Sequence, residues 1–310
     1  MPKVSICIPT YNQVSFLKFG LESILSQSYK DYEIIVTDDS DNNDVKELIA
    51  KYDFNGKLSY YRNEPAMGSP KNWNYCLSKA VGDYIKILHH DDWFSTDTSL
   101  EKLVKLLESD DNSIAFCGCN NISIDGDNLF HHSITKKEAS ILKTCPEFLF
   151  FENKIGAPSV TIFKRSDLIF DENIKYLVDL EFYIQLLNKK NKFSYTTDAL
   201  VNIGHSPHQV TNIFLKNKNL LVFEYSYTFK KLNITKQSFI WCFKAFWNLF
   251  DLLNIYTVNE LKNSGWHNEV PIFVSNIISA KNSIKKMHLS MFRRIFQKLV
   301  YMYSSKIYIK

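Results

Sequence analysis

The chain has 310 residues, of which 45% are hydrophobic and 23% charged, with a net charge of +4. This balance excludes a disordered, collagen-like or disulfide-scaffold chain, and the length leaves room for one sizeable α/β core plus an appended unit. The positive charge belongs to the end of the chain: residues 281–310 hold eight Lys or Arg and no acid, so positions 1–280 are net acidic by four.

Val4-Ser5-Ile6-Cys7-Ile8-Pro9 is a β-rich run, followed by Thr10-Tyr11-Asn12 and then by helical spacing at Phe16, Leu17, Leu21, Ile24 and Leu25. Tyr32–Thr37 predicts a second buried strand, ending in Asp38-Asp39. A short helix through Val45, Leu48 and Ile49, a strand at Leu58–Tyr61 and a helix over about Ser69–Ala80 come next, with Gly82 stopping the last. The strand that follows, Ile85-Lys86-Ile87-Leu88, runs into His89-His90-Asp91-Asp92-Trp93. Two readings of that acid pair stay open on residues alone. It can face a divalent cation carrying a diphosphate at the rim of a sheet, or it can begin a loop and cap the helix starting near Thr96. Alternating strands and helices imply a mostly parallel sheet flanked by helices, with the loops at Thr10–Asn12, Asp38–Asp41 and His89–Asp92 converging on one crevice.

Further along, Val160–Phe163 predicts a strand, Leu180, Tyr183, Ile184 and Leu187 the apolar face of a helix opened by Asp179, and Thr196–Ile203 another strand. The aromatic run Phe239–Phe250 is interrupted by Lys244 and followed by Asp251, far short of a membrane span, and is expected as a buried helix; its alternative is a greasy surface for a lipid-linked acceptor. In the basic tail, Met287, Met291, Ile295, Leu299 and Met302 recur at helical spacing beside Lys and Arg. Such a helix can lie on an anionic bilayer or pack on its own catalytic domain. Six cysteines, at 7, 76, 117, 119, 145 and 242, show no disulfide or metal rhythm, and Met1-Pro2-Lys3 enters the first strand without an apolar leader. Both point to reduced core thiols in a cytoplasmic protein.

The segments VSICIPTYNQ, ILSQSYKDYEIIVTDDSD, NEPAMGSPKNWNYCLSKAVGDYIKILHHDDWF and KYLVDLEFYIQLL, in that order over residues 2–210, resemble the inverting family 2 glycosyltransferases of the GT-A fold. The resemblance implies a catalytic domain over 1–211, with a nucleotide-sugar half at 1–95 and an acceptor half at 96–211, and a C-terminal helical region over 212–310. It implies a sugar transferred from a UDP- or dTDP-linked donor to an acceptor hydroxyl of a surface glycan, such as capsule or O-antigen, free or lipid-linked. Pro9, Thr10, Tyr11 and Asn12 would line base and ribose, and Asp39, with Asp38 beside it, would accept from the base. Asn74, His90 and Asp91 fall on the donor side, and Asp92 on the direct ligand of a divalent metal, Mg²⁺ or Mn²⁺. Asp179 falls on the general base, with Glu181 its competitor, and His205 on a contact to the diphosphate or a third metal ligand, a role given less readily to His208. Gly156-Ala157-Pro158-Ser159 falls on the acceptor pocket. Two positions depart from the pattern: His89 stands where many members have Asp, and Trp73 where many have Arg. Alternatives are a nucleotidyltransferase, against which stands the lack of a Gly-rich phosphate loop, and an inactive nucleotide-sugar-binding protein, which His89 keeps open. Nucleic acid is not expected as a partner, because the stripe beside the basic residues is aliphatic and offers no stacking platform.

Overall fold

The computed structural model describes residues 1–205, 214–286 and 293–308. They form two compact units, one of residues 1–144 and 154–209, the other of residues 145–153 and 210–310. The second unit thus takes in a short piece, residues 145–153, from the middle of the chain.

The first unit is built on a nine-stranded sheet ordered β3-β2-β1-β4-β8-β6-β9-β5, with β7 paired to β6. β1 (Val4–Thr10), β2 (Tyr32–Asp38), β3 (Leu58–Arg62) and β4 (Tyr84–Ile87) are parallel neighbours. Every residue of β1 and β4 is buried, which is why these strands read as unbroken apolar runs and not as alternation. The connecting helices α1 (Ser15–Leu25), α2 (Asp44–Ile49) and α3 (Lys71–Lys79) follow from their spacing. α1 buries Phe16, Leu17, Gly20, Leu21 and Ile24, and each large apolar side chain so enclosed stabilises by about 1.5–3 kcal/mol.

Beyond β4 the sheet becomes mixed. β8 (Thr161–Lys164) is antiparallel to both β4 and β6 (Ile114–Ser123), β6 is parallel to β9 (Phe193–His205), and β7 (Asn128–His132) is antiparallel to β6. The three-residue β5 (Asp92–Phe94) pairs antiparallel with β9, so Asp92 opens a strand and does not hang from the end of β4. α4 (Ser99–Glu108), α5 (Lys136–Leu142) and α7 (Val178–Lys189) complete the unit.

The second unit is helical: α6 (Phe148–Phe151), α8 (Lys218–Lys231), α9 (Phe239–Leu252), α10 (Val258–Asn263), α11 (Ile272–Lys286) and α12 (Arg293–Tyr308). Phe239, Phe243, Phe246, Trp247 and Phe250 of α9 are all inside, against rings such as Phe150, Trp266 and Phe273. The aromatic run is therefore core, and the greasy-surface alternative for it fails because most of its rings are already covered. All six cysteines are buried and none forms a disulfide. No helix among the described residues is long and apolar enough to cross a membrane.

Candidate active site

The acidic loop is held from below. Leu88 N–H donates to the Cys7 carbonyl (2.9 Å), and a turn closes with Asp92 N–H on the His89 carbonyl (3.0 Å). β9 then passes so close that a Cβ on Gly204 would lie 2.3 Å from the Asp91 carbonyl oxygen, so only glycine fits there. Gly204 N–H donates to that carbonyl (3.0 Å) and approaches the Asp92 carboxylate (3.3 Å). The Ser159 hydroxyl accepts from His89 N–H at 2.9 Å, while its carbonyl accepts from the Lys86 ammonium. Lys86 is wholly enclosed, and burial pushes its ammonium down to about 8.

Burial and then the neighbouring Asp91 push the Asp92 carboxyl well above the usual carboxylate range. Burial also pushes the His89 imidazole down to about 4, which leaves the ring neutral with a lone pair to offer. Ligand atoms of His89, Asp91 and Asp92 all lie within 4.8 Å of one another, and His89 Nε2 is buried without a hydrogen-bond partner. Two crowded carboxylates and an orphaned imidazole nitrogen fit a divalent cation, which would relieve the repulsion and satisfy the ring.

At the ends of β1 and β2 the predicted donor residues divide into frame and rim. Asp38 is fully enclosed: one oxygen accepts from Thr10 Oγ1 (3.0 Å), Ser40 N–H (2.9 Å) and Ser40 Oγ, the other from Tyr60 Oη (2.7 Å). With Thr10 and Pro9 also buried, these three hold the loop's shape and present no side chain to a nucleotide. Asp39 accepts from Asn63 Nδ2 (2.7 Å), Met67 N–H (3.0 Å) and Gly68 N–H (2.7 Å), fastening the 63–68 loop across the strand ends. The rim is Tyr11, exposed and donating its N–H to His90 Nδ1 (3.2 Å), and Asn12, in the left-handed region at φ 47° with its N–H on Ser40 Oγ (2.8 Å). Asn72, which no motif marks, ties the set together: its amide donates to the Thr10 and Thr37 carbonyls (3.3 and 3.2 Å) and accepts from Asn63 (2.9 Å).

Asn74 clamps the Phe170 backbone through two hydrogen bonds of 2.8 Å each. On α7, Asp179 sits in the first turn and is partly accessible, whereas Glu181 is buried and accepts from Gln185. Tyr183, one turn on, reaches the Gly156 carbonyl (3.2 Å). Residues 156–159 therefore run from α7 to the acidic loop, and Ser159, expected in an acceptor pocket, is instead wholly buried beneath the acids. His205 Nε2 pairs with Asn121 Oδ1 (2.7 Å) and is not one of the three clustered ligands. His208 lies outside the described residues.

Residues 5–170, more than half of the chain, match the family model described as glycosyl transferase family 2. An uncharacterized glycosyltransferase of Rickettsia typhi is 28% identical over 247 residues, 77% of this chain and 74% of that one. The chain spans only 31% of the length of a second rickettsial glycosyltransferase, from Rickettsia felis, at 29% identity over 61% of this chain. Among solved structures, residues 1–349 of S. aureus TarS in complex with UDP-GlcNAc align with TM-score 0.66 over 99% of this chain and 91% of that one, at 17% identity. The mannosyltransferase PcManGT of Pyrobaculum calidifontis, in complex with GDP-Man and Mn²⁺, aligns with TM-score 0.57 over 99% and 87%, at 14% identity. Family match, sheet order and acidic loop agree, and the chain belongs to glycosyl transferase family 2, a glycosyltransferase of the GT-A fold.

Proposed function

We propose that this enzyme transfers a sugar, with inversion, from a UDP- or dTDP-linked donor to an acceptor hydroxyl of a bacterial surface glycan. The observation that carries the reading is the convergence of His89, Asp91 and Asp92 on one point beside the carboxyl ends of parallel strands, inside the segment that matches the family. The nucleotide-sugar complexes of TarS, with UDP-GlcNAc, and PcManGT, with GDP-Man, support a nucleoside diphosphate sugar as the donor.

In this reading Asp92 and its neighbours hold a divalent cation, Mg²⁺ or Mn²⁺, which when bound offsets the charge growing on the leaving diphosphate. Tyr11 and Asn12 border the base and ribose, and Asp39 keeps the 63–68 loop in place behind them. The acceptor oxygen forms its bond to the anomeric carbon as the bond to the diphosphate breaks on the opposite face; the electron pair leaves with the phosphate. Asp179 takes the hydroxyl proton, since it is the more accessible acid of the first turn of α7, while Glu181 is inside and engaged. Alternative chemistry, nucleotidyl transfer, has no comparable support. For location, the second unit's last helix supports contact with an anionic membrane face, where lipid-linked acceptors reside.

Asp179→Asn preserves shape but cannot take the proton, so turnover should fall by about 10²-fold or more while donor affinity, read by calorimetry, stays near wild type. Near-normal turnover in this variant, or its loss in Glu181→Gln alone, would move the base off Asp179.

A further inference from the structure

We propose that a ring nitrogen of His89 is itself a ligand of the bound cation, and that Trp73 locks the ring for that task, giving a one-nitrogen, two-carboxylate site that favours Mn²⁺ over Mg²⁺. The proposal rests on the metal reading above and adds to it the donor set and the selectivity that follows.

His89 and Trp73 touch one another. The His89 and Trp73 rings lie 4.7 Å apart at 38°, Trp73 meets Phe170 edge-on (5.2 Å, 85°), and Phe170 stacks on Phe182 (4.2 Å, 25°). Phe170 is in turn pinned by Asn74 at both backbone groups, and His89 by its own N–H on Ser159 (2.9 Å). The imidazole is therefore fixed from main chain and ring face alike. Its Nε2 is sealed from water with no protein partner, although two carboxylates stand close by. A sealed polar atom of this kind is costly unless something takes it. No described side chain does so; a ring nitrogen of His89 lies within 4.8 Å of carboxylate oxygens of Asp91 and Asp92, and a cation bound there through Nε2 would take it.

The consequence is chemical. An imidazole and two carboxylates carry two negative charges, which a divalent ion neutralises; a third carboxylate would leave the site anionic. Mg²⁺ is held almost wholly by oxygen and sheds water reluctantly, whereas Mn²⁺ accepts imidazole nitrogen as well as carboxylate oxygen. Replacing an acid by His89 thus gives up affinity for Mg²⁺ and keeps Mn²⁺.

The test uses the whole chain with Mn²⁺ and UDP, read by electron spin echo modulation and by competition with Mg²⁺. Wild type should show a directly coordinated ¹⁴N coupling, which persists in His90→Gln and disappears in His89→Gln, with Mn²⁺ affinity lowered about 10-fold or more. His89→Asp should lose the coupling and bind Mg²⁺ more tightly than wild type. Trp73→Leu should retain a ¹⁴N coupling but weaken Mn²⁺ binding. Mn²⁺ bound to wild type without ¹⁴N coupling overturns the proposal and leaves the metal-dependent transferase intact. Failure to bind either ion with UDP present overturns both.

Discussion

Ser159 ties two neighbours of the acids to one residue: its hydroxyl receives from His89 N–H, and its carbonyl receives the Lys86 ammonium. Ser159→Ala removes that hydroxyl and leaves the His89 N–H without its acceptor. We expect Mn²⁺ affinity to drop about 10- to 100-fold, as for other groups that orient metal ligands, with the fold retained. Unchanged affinity by calorimetry would mean that the Ser159–His89 bond plays no part in orienting the metal ligands. Lys86 gives a pH signature of its own. Its ammonium is held at about 8 by burial, against an ordinary 10.5, so between those values the unfolded chain binds more protons than the folded one. Relative to Lys86→Met, the wild-type protein should gain stability as pH rises from 8 toward 10.5 and show no such slope below 8. Urea denaturation at pH 7, 8, 9 and 10 measures it, and parallel curves for the two proteins would place the lysine in water.

At the scale of elements, α5 carries a complete capping box. Thr135 Oγ1 accepts from Glu138 N–H (3.2 Å), and the Glu138 carboxylate accepts from Thr135 N–H (2.9 Å) and forms an ion pair with Lys154 (2.9 Å). Burial opposes the Glu138 charge, yet bonds from Lys154 and Thr135 prevail and bring its carboxyl down to about 2, below an ordinary 4.5. Its contribution is therefore whole above pH 4.5 and lost as pH falls toward 2. Thr135→Ala should cost about 1 kcal/mol at pH 7 and progressively less below pH 4.5; an undiminished cost in acid would assign the effect to packing. The elements legible in the sequence were those whose burial shows in local pattern: the runs of β1, β2 and β4 and the periodic helices between them. β6 and β7 were not, because Gly118, Asn120 and Asn121 break the apolar run of β6 and β7 is almost wholly exposed. β5 escaped notice for another reason: three residues make a strand only through pairing with β9, over a hundred residues away. The same distinction holds for the site. Paired acids announce themselves, whereas Ser159 and Asn72 matter through bonds to distant main chain and Asn63 through bonds to the Asp39 and Asn72 side chains, and nothing adjacent in sequence marks a lone Ser or Asn.

At the scale of the whole molecule, the charge asymmetry gains a location. α12 turns Tyr301, Ser304 and Tyr308 toward α9 and α11: Tyr301 stacks on Phe239 (5.9 Å), Ser304 meets Asn276 (3.2 Å), and Tyr308 lies on Phe239 and Phe273 (5.3 and 5.0 Å). This packing lies within the helical unit, and it uses a different face from the aliphatic stripe. Ile295, Leu299, Met302 and Tyr303, spaced along one side, are 57%, 56%, 48% and 61% exposed. Not every basic residue of the tail is available beside them, since Lys281 and Arg293 are both bound to Asp251. Arg294, Lys298 and Lys306 remain at the surface. An aliphatic stripe edged by cations suits the headgroup boundary of an anionic bilayer, where each such cation adds about 1 kcal/mol and apolar burial adds the rest. The full chain should co-sediment with vesicles containing phosphatidylglycerol and not with neutral phosphatidylcholine vesicles. Salt at several hundred millimolar should weaken the binding by screening the charges within a few ångströms. Ile295→Glu with Leu299→Glu should release the protein at low salt, and its melting temperature should stay near wild type because neither side chain is part of the core. If the double variant binds vesicles as wild type does, the stripe is not the contact; if instead light scattering finds wild type dimeric and the variant monomeric, the stripe joins two copies of the chain and the membrane reading falls.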